Sequence, residues 1–501
     1  MKRLLCLIAL LATTALCLAA VPANGVLKIG SKRFTESYIL AQLMAQTVAR
    51  ATGSQPEVRQ GLGNTAIVYE ALRSGNIDLY PEYAGTIALE ILKHPEPMTL
   101  AQMNEALAPL GLAAAIPLGF NDGYALAMRA ADAQRLHLNS LSDLARHPEL
   151  KLGLSNEFIG RADGWAGLAR RYGLRQQPIG LDHGLAYDAI AAKQVDLIDI
   201  YTTDAKIAHL GLRVLADDRK YFPRYDALVL YRLEVPQRFP AAWAALQTLK
   251  GRVDENAMIA MNARAELQSV PFDTIARDFL ASAATTPAAG LSFAGKLFGP
   301  DLARLTLQHL TLVALSVGAA VLLGVPLAVA AFPRPRWRGA LLAAAGLLQT
   351  VPSLALLAAL IGLTGAIGAL PALLALTLYA LLPIMRNTVA GLAEVGEGIR
   401  QAGTALGMTP GQRLRLVELP LALPTVVAGV RTAVAIAIGT ATIAAFIGAG
   451  GYGERIVTGL ALNDRELLLA GALPAAALAL LCELLFELLE RRIRRRRAPA
   501  G

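Results

Sequence analysis

A chain of 501 residues that is 55% hydrophobic and only 17% charged, with a mean hydropathy of +0.46, is too apolar to be water-soluble throughout. Its formal charge of +9 is unevenly spread, because the residues after 300 hold 17 Arg, no Lys and 10 acids, or +7. Those arginines form short clusters beside apolar stretches, where bilayer topology explains them, and nucleic acid is excluded as the partner.

The chain opens with Lys2 and Arg3, an apolar run from Leu4 to Leu18, and Val21-Pro22-Ala23 as one cleavage site. Residues 1–23 therefore read as a signal peptide or an uncleaved anchor. Cys6 and Cys17 fall in this leader and Cys482 in the last apolar span, so the part between carries no disulfide or thiolate metal site. The six His residues lack ligand spacing, and no metal is expected.

Residues 24–283 alternate short β-like runs, such as "GVLKIGS" and "IDLYPEY", with helical segments at 36–50 and 66–74. This predicts an α/β domain of two lobes with open parallel sheets, whose ligands bind beyond the carboxyl ends of strands. Two strand-to-helix turns, "GSKRFTES" and "GLGNTA", place Ser31, Thr35 and Thr65 just before helices. They suit an anion at a helix start, or plain N-capping. Tyr83, Tyr124, Tyr201 and Tyr225 fall at predicted strand ends or loops. Converging ring faces would cage a quaternary ammonium, each contributing roughly 0.5–2 kcal/mol, although scattered tyrosines also serve as half-buried structural residues.

Residues 284–300, rich in small side chains, read as a tether. The membrane domain, 301–501, holds five expected spans: 310–332, two within 339–385 broken at "GLTGAIGALP", 421–447 and 467–489. Arg334, Arg336 and Arg338, then Arg386, Arg400, Arg413 and Arg415, and finally the tail 491–497 mark the cytoplasmic side, which puts 24–300 outside. Arg431 lies inside the fourth stretch and is expected to snorkel to the cytoplasmic face.

The motifs "IGSKRFTE", "ALRSGNIDLYPEYAGT", "GFNDGYALAM", "GRADGWAGL", "YTTDAKI" and "DDRKYFPRYDALVLYR" cover nearly all of 26–283 in order. Through them the sequence resembles the substrate-binding proteins of ABC importers for glycine betaine, choline and carnitine. The resemblance implies a type II binding protein with an aromatic cage of Tyr83, Tyr124, Tyr201 and Tyr225. Around that cage it implies Ser31, Lys32, Thr35, Asn64, Thr65, Thr86, Asn121 and Thr203. Ser37, Asn64 and "FNDGY" depart from the family's usual Gln, Gly and "FNNTY".

The second half resembles the permease subunits of the same importers through "QTVPSLALLAAL" and "RQAGTALGMTPGQRLRLVELPLALP". The latter is similar to the cytoplasmic coupling loop. Gln401, Ala402 and Gly403 stand where Glu-Ala-Ala is typical, and Gly407, Leu419 and Pro420 fit the pattern. No Gly-x4-Gly-Lys-Ser/Thr phosphate loop occurs, so the chain is expected to bind no cofactor of its own. ATP and Mg would be used by a separate ATPase subunit. The reading is a bacterial inner-membrane importer polypeptide, not an enzyme, working as a homodimer with its receptor domain on the external or periplasmic side. The rivals are a membrane-anchored solute sensor and an importer of another betaine such as ergothioneine.

Overall fold

The computed structural model describes residues 25–94, 96–281, 292–462 and 464–495. The leader and the first part of the expected tether, 284–291, lie outside the described residues, as does the end of the Arg tail.

Ten short strands make up the described sheets: β1 Lys28–Gly30, β2 Glu57–Arg59, β3 Leu79–Tyr83, β4 Leu112–Ala115, β5 Tyr124–Arg129, β6 Leu152–Ser155, β7 Ile179–Leu181, β8 Leu197–Tyr201, β9 Leu212–Val214 and β10 Ala227–Arg232. The first lobe is ordered β2-β1-β3-β10-β4 and the second β7-β6-β8-β5-β9. The expectation of parallel sheets is corrected, because both sheets are mixed. β10 runs antiparallel between β3 and β4, and β5 antiparallel between β8 and β9. The reason is the path of the chain. These two strands enter from the other lobe, so they begin at the cleft, where β3 and β8 end, and must run the opposite way. Consequently Tyr83 and Tyr201 close their strands at the cleft, Tyr124 opens β5 there and Tyr225 lies just before β10.

The helix Thr35–Thr52, expected at 36–50, follows β1 and buries Tyr38, Ile39, Leu40, Leu43 and Met44. It packs against the helices Glu255–Glu266 and Phe272–Ala281, so the end of the domain covers its own beginning. Each fully buried aliphatic side chain contributes roughly 1.5–3 kcal/mol of transfer free energy.

In the second half, Leu302–Ala331, Ala369–Ala393, Pro410–Ala441 and Arg465–Glu490 are long and apolar enough to cross a bilayer. The pair Pro335–Thr350 and Ser353–Thr364, bent by 102°, makes a fifth when counted as one span. The sequence reading placed the break in 339–385 only at the Gly-rich stretch; the structure adds a sharper one at Val351-Pro352. Proline has no N–H and forces its predecessor out of the helical region, here to φ −67°, ψ 126°. Tyr379 donates its hydroxyl to the freed Val351 carbonyl at 2.7 Å, and the Gln349 amide donates to the Tyr379 carbonyl at 2.8 Å. Backbone groups opened at such a kink are thereby satisfied within the bundle.

Arg431 is ion-paired across the bundle. Its guanidinium pairs with Glu483 and reaches Glu490 at 3.5 Å, both on the last long helix, so two spans share the charge. The end of the expected tether is also built in: Ser292 caps the helix Phe293–Leu297, and the buried Lys296 ammonium donates to Asp464 at 2.7 Å and Glu466 at 3.1 Å.

Candidate ligand-binding site

Four tyrosines that lie far apart in sequence meet around one small cavity between the lobes, together with Lys32, Phe34, Thr86, Asp122, Glu157 and Arg161. Tyr124 is central, tilted against Tyr201 at 5.1 Å between centroids and edge-on to Tyr225 at 5.8 Å and 78°. Phe34, absent from the sequence reading, links the remaining pair, 6.2 Å from Tyr83 and 5.4 Å from Tyr201. Polar anchors fix the rings. The Tyr83 hydroxyl donates to Glu36 at 2.5 Å, the Tyr225 hydroxyl to Asp163 at 2.5 Å, and the Tyr225 N–H to Asn121 at 2.7 Å. Burial raises all four phenols above their ordinary range, so each ring is a neutral, electron-rich face near neutral pH.

Two of those faces look toward the protein's own cations. The Lys32 ammonium lies 5.3 Å from the Tyr83 centroid and the Arg161 guanidinium 5.0 Å from that of Tyr124. Lys32 is tied to Glu82, and Arg161 donates twice to Asp163, at 2.7 and 2.6 Å. A cation-accepting surface and two positive groups therefore border one space.

The other expected residues divide. Lys32 and Thr86 line the aromatic cavity, while Thr35 and Thr203 line a neighbouring one that shares Phe34, Asp122 and Tyr201 with it. Ser31 is fully buried and accepts from the Gly61 N–H at 2.9 Å, joining the two glycine-bearing turns. Asn64 is exposed and caps the helix Thr65–Arg73 by accepting from Ile67, and Thr65 is buried at that helix start; neither lines a described cavity. Asn121 acts at one remove, through Tyr225.

The neighbouring cavity holds what the sequence reading overlooked: Glu36, His183, Tyr187, Asp204, Lys206, Asn262 and Glu266. Glu36 belongs to the first lobe, yet Thr203 of the second donates to it at 2.6 Å. Burial pushes the Glu36 carboxyl up to about 7 in spite of its hydrogen bonds, and raises Asp122 well above the carboxylate range, with the charge of Glu36 adding to it. Burial would raise Asp204 too, but His183 holds it low through charge and a hydrogen bond at 3.0 Å. Some of these residues sit inside quoted motifs, Glu36 in "KRFTE", Asp122 in "FNDGY" and Asp204 in "YTTDAKI", as does Arg161 in "GRADGW", whereas His183, Tyr187, Asn262 and Glu266 lie outside them.

The same cavity reaches Ala461 of the helical half. One segment of that half touches both lobes. Phe446 lies under the Arg33 guanidinium at 4.8 Å, and Gly448 abuts Leu62 on the first lobe. The carbonyls of Leu460 and Ala461 abut Gly184 on the second lobe, and Ser269 donates to Asp464 at 3.2 Å.

At the other end of the bundle, the helices Glu397–Ala405 and Pro410–Arg413 form a short loop structure. Gln401, Ala402, Gly407 and Pro420 are exposed, Leu419 is half-buried, and Gly403 is buried against Arg413. Arg413 donates to the buried Glu418 at 2.8 Å and so pins the loop to the span that follows. Leu406 projects into solvent, as do Ile399 and Leu416.

Residues 25–282 match the family described as the substrate binding domain of ABC-type glycine betaine transport systems, and residues 320–495 match the binding-protein-dependent transport system inner membrane component. The permease half is similar to the osmoprotectant import permease protein OsmW of Salmonella typhimurium, 48% identical over 194 residues, or 38% of this chain and 90% of that protein. The receptor half is similar to the glycine-betaine-binding protein of Pseudomonas aeruginosa, 35% identical over 274 residues, or 51% of this chain and 86% of that protein. The ergothioneine transport permease and binding protein EgtU of Helicobacter pylori is 30% identical over 274 residues, covering 52% of this chain and 49% of that one. With four to five apolar helices among the described residues behind the receptor domain, the chain is a multi-pass inner-membrane component of an importer energised by a partner ATPase. It belongs to the family of ABC-type glycine betaine transport systems, with substrate-binding domain and permease on one polypeptide.

Proposed function

We propose that the two lobes capture a betaine outside the cell and deliver it to a pathway formed by two copies of the helical half. The observation that carries the reading is the convergence of Tyr83, Tyr124, Tyr201 and Tyr225 on one cavity that Lys32 and Arg161 also line. A quaternary ammonium has no N–H to satisfy, so ring faces suffice for it, and the two cations offer an anionic end of the same molecule a counter-charge. Glycine betaine, carnitine and proline betaine are therefore expected to bind more tightly than choline, which has no carboxylate. The aromatic cage, with Thr86 and Lys32 beside it, is the ligand site of this proposal. Ser31, Thr35, Asn64, Thr65, Asn121 and Thr203 support the turns and rings around it.

The domain division runs 24–283, 284–300 and 301–501 after a leader at 1–23. Receptor and loop lie at opposite ends of the bundle: the receptor meets 446–464, whereas Phe332, Leu392, Leu419 and Ala422 cluster beneath the Gly407 loop. This supports an external receptor and a cytoplasmic loop that engages the ATPase, the subunit that uses ATP and Mg. Calorimetry on the full-length chain in lipid nanodiscs tests the ligand reading, with glycine betaine, carnitine, proline betaine, choline and ergothioneine as the panel. Failure of every quaternary amine to bind refutes it. Reporter fusions at Asp204 and Arg494 that score on the same side of the membrane refute the topology, and a monomeric mass in nanodiscs refutes the dimer.

A further inference from the structure

We propose that the contact between the lobes is a proton-binding site, and that closure takes up one proton shared between Glu36 and Asp122. The argument starts from hydrogen-bond stoichiometry. The Thr203 hydroxyl lies 2.6 Å from Glu36 Oε2 and 2.9 Å from Asp122 Oδ1. It has one hydrogen, which serves one carboxylate. The second short contact is satisfied when the other carboxyl brings its own hydrogen to the Thr203 oxygen.

Nothing around the pair supplies that charge balance another way. Tyr83 donates to Glu36 Oε1 at 2.5 Å, Asn262 approaches Oε2 at 3.4 Å, and the Thr203 N–H approaches Asp122 at 3.3 Å; all are neutral donors. The charged groups facing the site across its cavity are Asp204, Glu266, His183 and Lys206. His183 is committed to Asp204, which also accepts from Tyr187 at 2.6 Å and from the Tyr201 N–H at 2.9 Å. On the cage side, Lys32 is bound to Glu82 and Arg161 to Asp163. Glu157 adds a further carboxylate there. Among the described residues, no Lys, Arg or His is hydrogen-bonded to Glu36 or Asp122. The buried Asn262 Oδ1 has no donor of its own.

The energetics agree with the geometry. Glu36 and Asp122 are both buried here, and burial lifts Glu36 to about 7 and Asp122 well above its usual range. With the lobes apart, both carboxyls face water, titrate in the ordinary carboxylate range and are ionised at neutral pH. A group whose value is raised in the closed state favours closure fully below its open-state value and loses that effect as pH rises from there to the closed-state value. Ligand affinity is then highest below about pH 4.5, falls by up to about tenfold per pH unit between there and about pH 7, and levels off above the closed-state value.

The test uses the full-length chain in nanodiscs, and its ligand arm rests on the betaine reading above. Spin labels at Gln55→Cys and Lys193→Cys, in a background without native cysteines, report the distance between lobes from pH 4.5 to 8.5, with and without glycine betaine. Calorimetry in buffers of differing ionisation enthalpy counts protons. The expected result is a closed population that shrinks as pH rises toward 7, and uptake of about one proton per glycine betaine near pH 6 that fades by pH 8.5. Glu36→Gln, whose amide brings its own hydrogens, removes both effects while closure persists; Asp122→Asn is the second variant should the first fail to fold. A closed population unchanged with pH in both states, together with zero proton uptake, overturns the proposal. So does a pH slope that survives both variants. Loss of glycine betaine binding at every pH, with pH-dependent closure intact, refutes the ligand reading alone.

Discussion

Gly184→Ala separates capture from delivery. Gly184 opens the helix His183–Ala191 on the second lobe, and a Cβ built there stands 2.8 Å from the Leu460 carbonyl oxygen and 3.0 Å from that of Ala461. Ordinary carbon–oxygen contacts begin near 3.4 Å, and both obstacles are backbone, so neither swings aside as a side chain would. Overpacking of this kind costs about 1–3 kcal/mol. Here the cost falls only on the docked arrangement, because the atoms met belong to the helical half. The docked population should drop by roughly fivefold to 150-fold. The assay is ATP hydrolysis by the complex with its ATPase in nanodiscs, stimulated by a saturating betaine, alongside calorimetry for ligand affinity. Weakened stimulation with affinity unchanged is the expected pair. Full stimulation in the alanine variant, and again in Gly184→Val, would show that this contact does not carry the signal.

At the cage, Tyr124→Ala and Tyr201→Ala should each weaken betaine binding by on the order of thirtyfold, about 2 kcal/mol, with Phe at either position retaining most affinity; unchanged affinity for all panel compounds in both alanine variants would make these rings structural. Tyr83→Phe and Tyr225→Phe should cost more than Phe at the other two positions, since each removes a buried hydrogen bond, to Glu36 and Asp163 respectively; equal calorimetric losses would contradict that ranking. Gly407 has φ +75° and open space where a side chain would stand, so Gly407→Trp strains the backbone and places bulk on the exposed loop. It should abolish stimulated ATP hydrolysis without changing betaine affinity, and full retention of stimulation would remove the loop from the ATPase contact. Glu483→Ala with Glu490→Ala should lower the melting temperature of the purified chain more than the same two changes combined with Arg431→Met, because only the former leaves the cation on a span without its two partners; the reverse order would show that the pair is dispensable.

How far the sequence can be read depends on whether a residue's role is local. Tyr83, Tyr124, Tyr201 and Tyr225 were legible because each occupies a strand end within its own motif, and strand ends in an α/β lobe point at the cleft. Glu36 and Asp122 stand in the same motifs, but their importance comes from Thr203, on the opposite lobe and brought near only by closure. The mixed sheets escaped notice for the same reason. The runs forming β5 and β10 look like any others, and their direction follows from which lobe the chain has just left. In the membrane half, hydropathy located the apolar stretches well. It registered neither the bend at Val351-Pro352 nor the partner of Arg431, since a window average contains no information about the helix alongside.

The place where the tether ends gives the fusion a physical meaning beyond economy of subunits. Lys296 fastens the helix Phe293–Leu297 to Asp464 and Glu466, and Asp464 also accepts from Ser269 of the receptor. The anchor therefore stands beside the segment that touches both lobes. The chain from Ala281 to Ser292 spans at most roughly 40 Å when fully extended. An undocked receptor is confined to a half-sphere of that radius, which corresponds to an effective concentration on the order of 10 mM. A contact whose bimolecular dissociation constant is only millimolar would still be mostly formed. The contacts seen here include Arg33 on Phe446, Leu62 on Gly448, Gly184 on the Leu460 and Ala461 carbonyls, and Leu462 packed into the receptor's core. A receptor free to diffuse would need a larger or better-paired surface to reach the same occupancy.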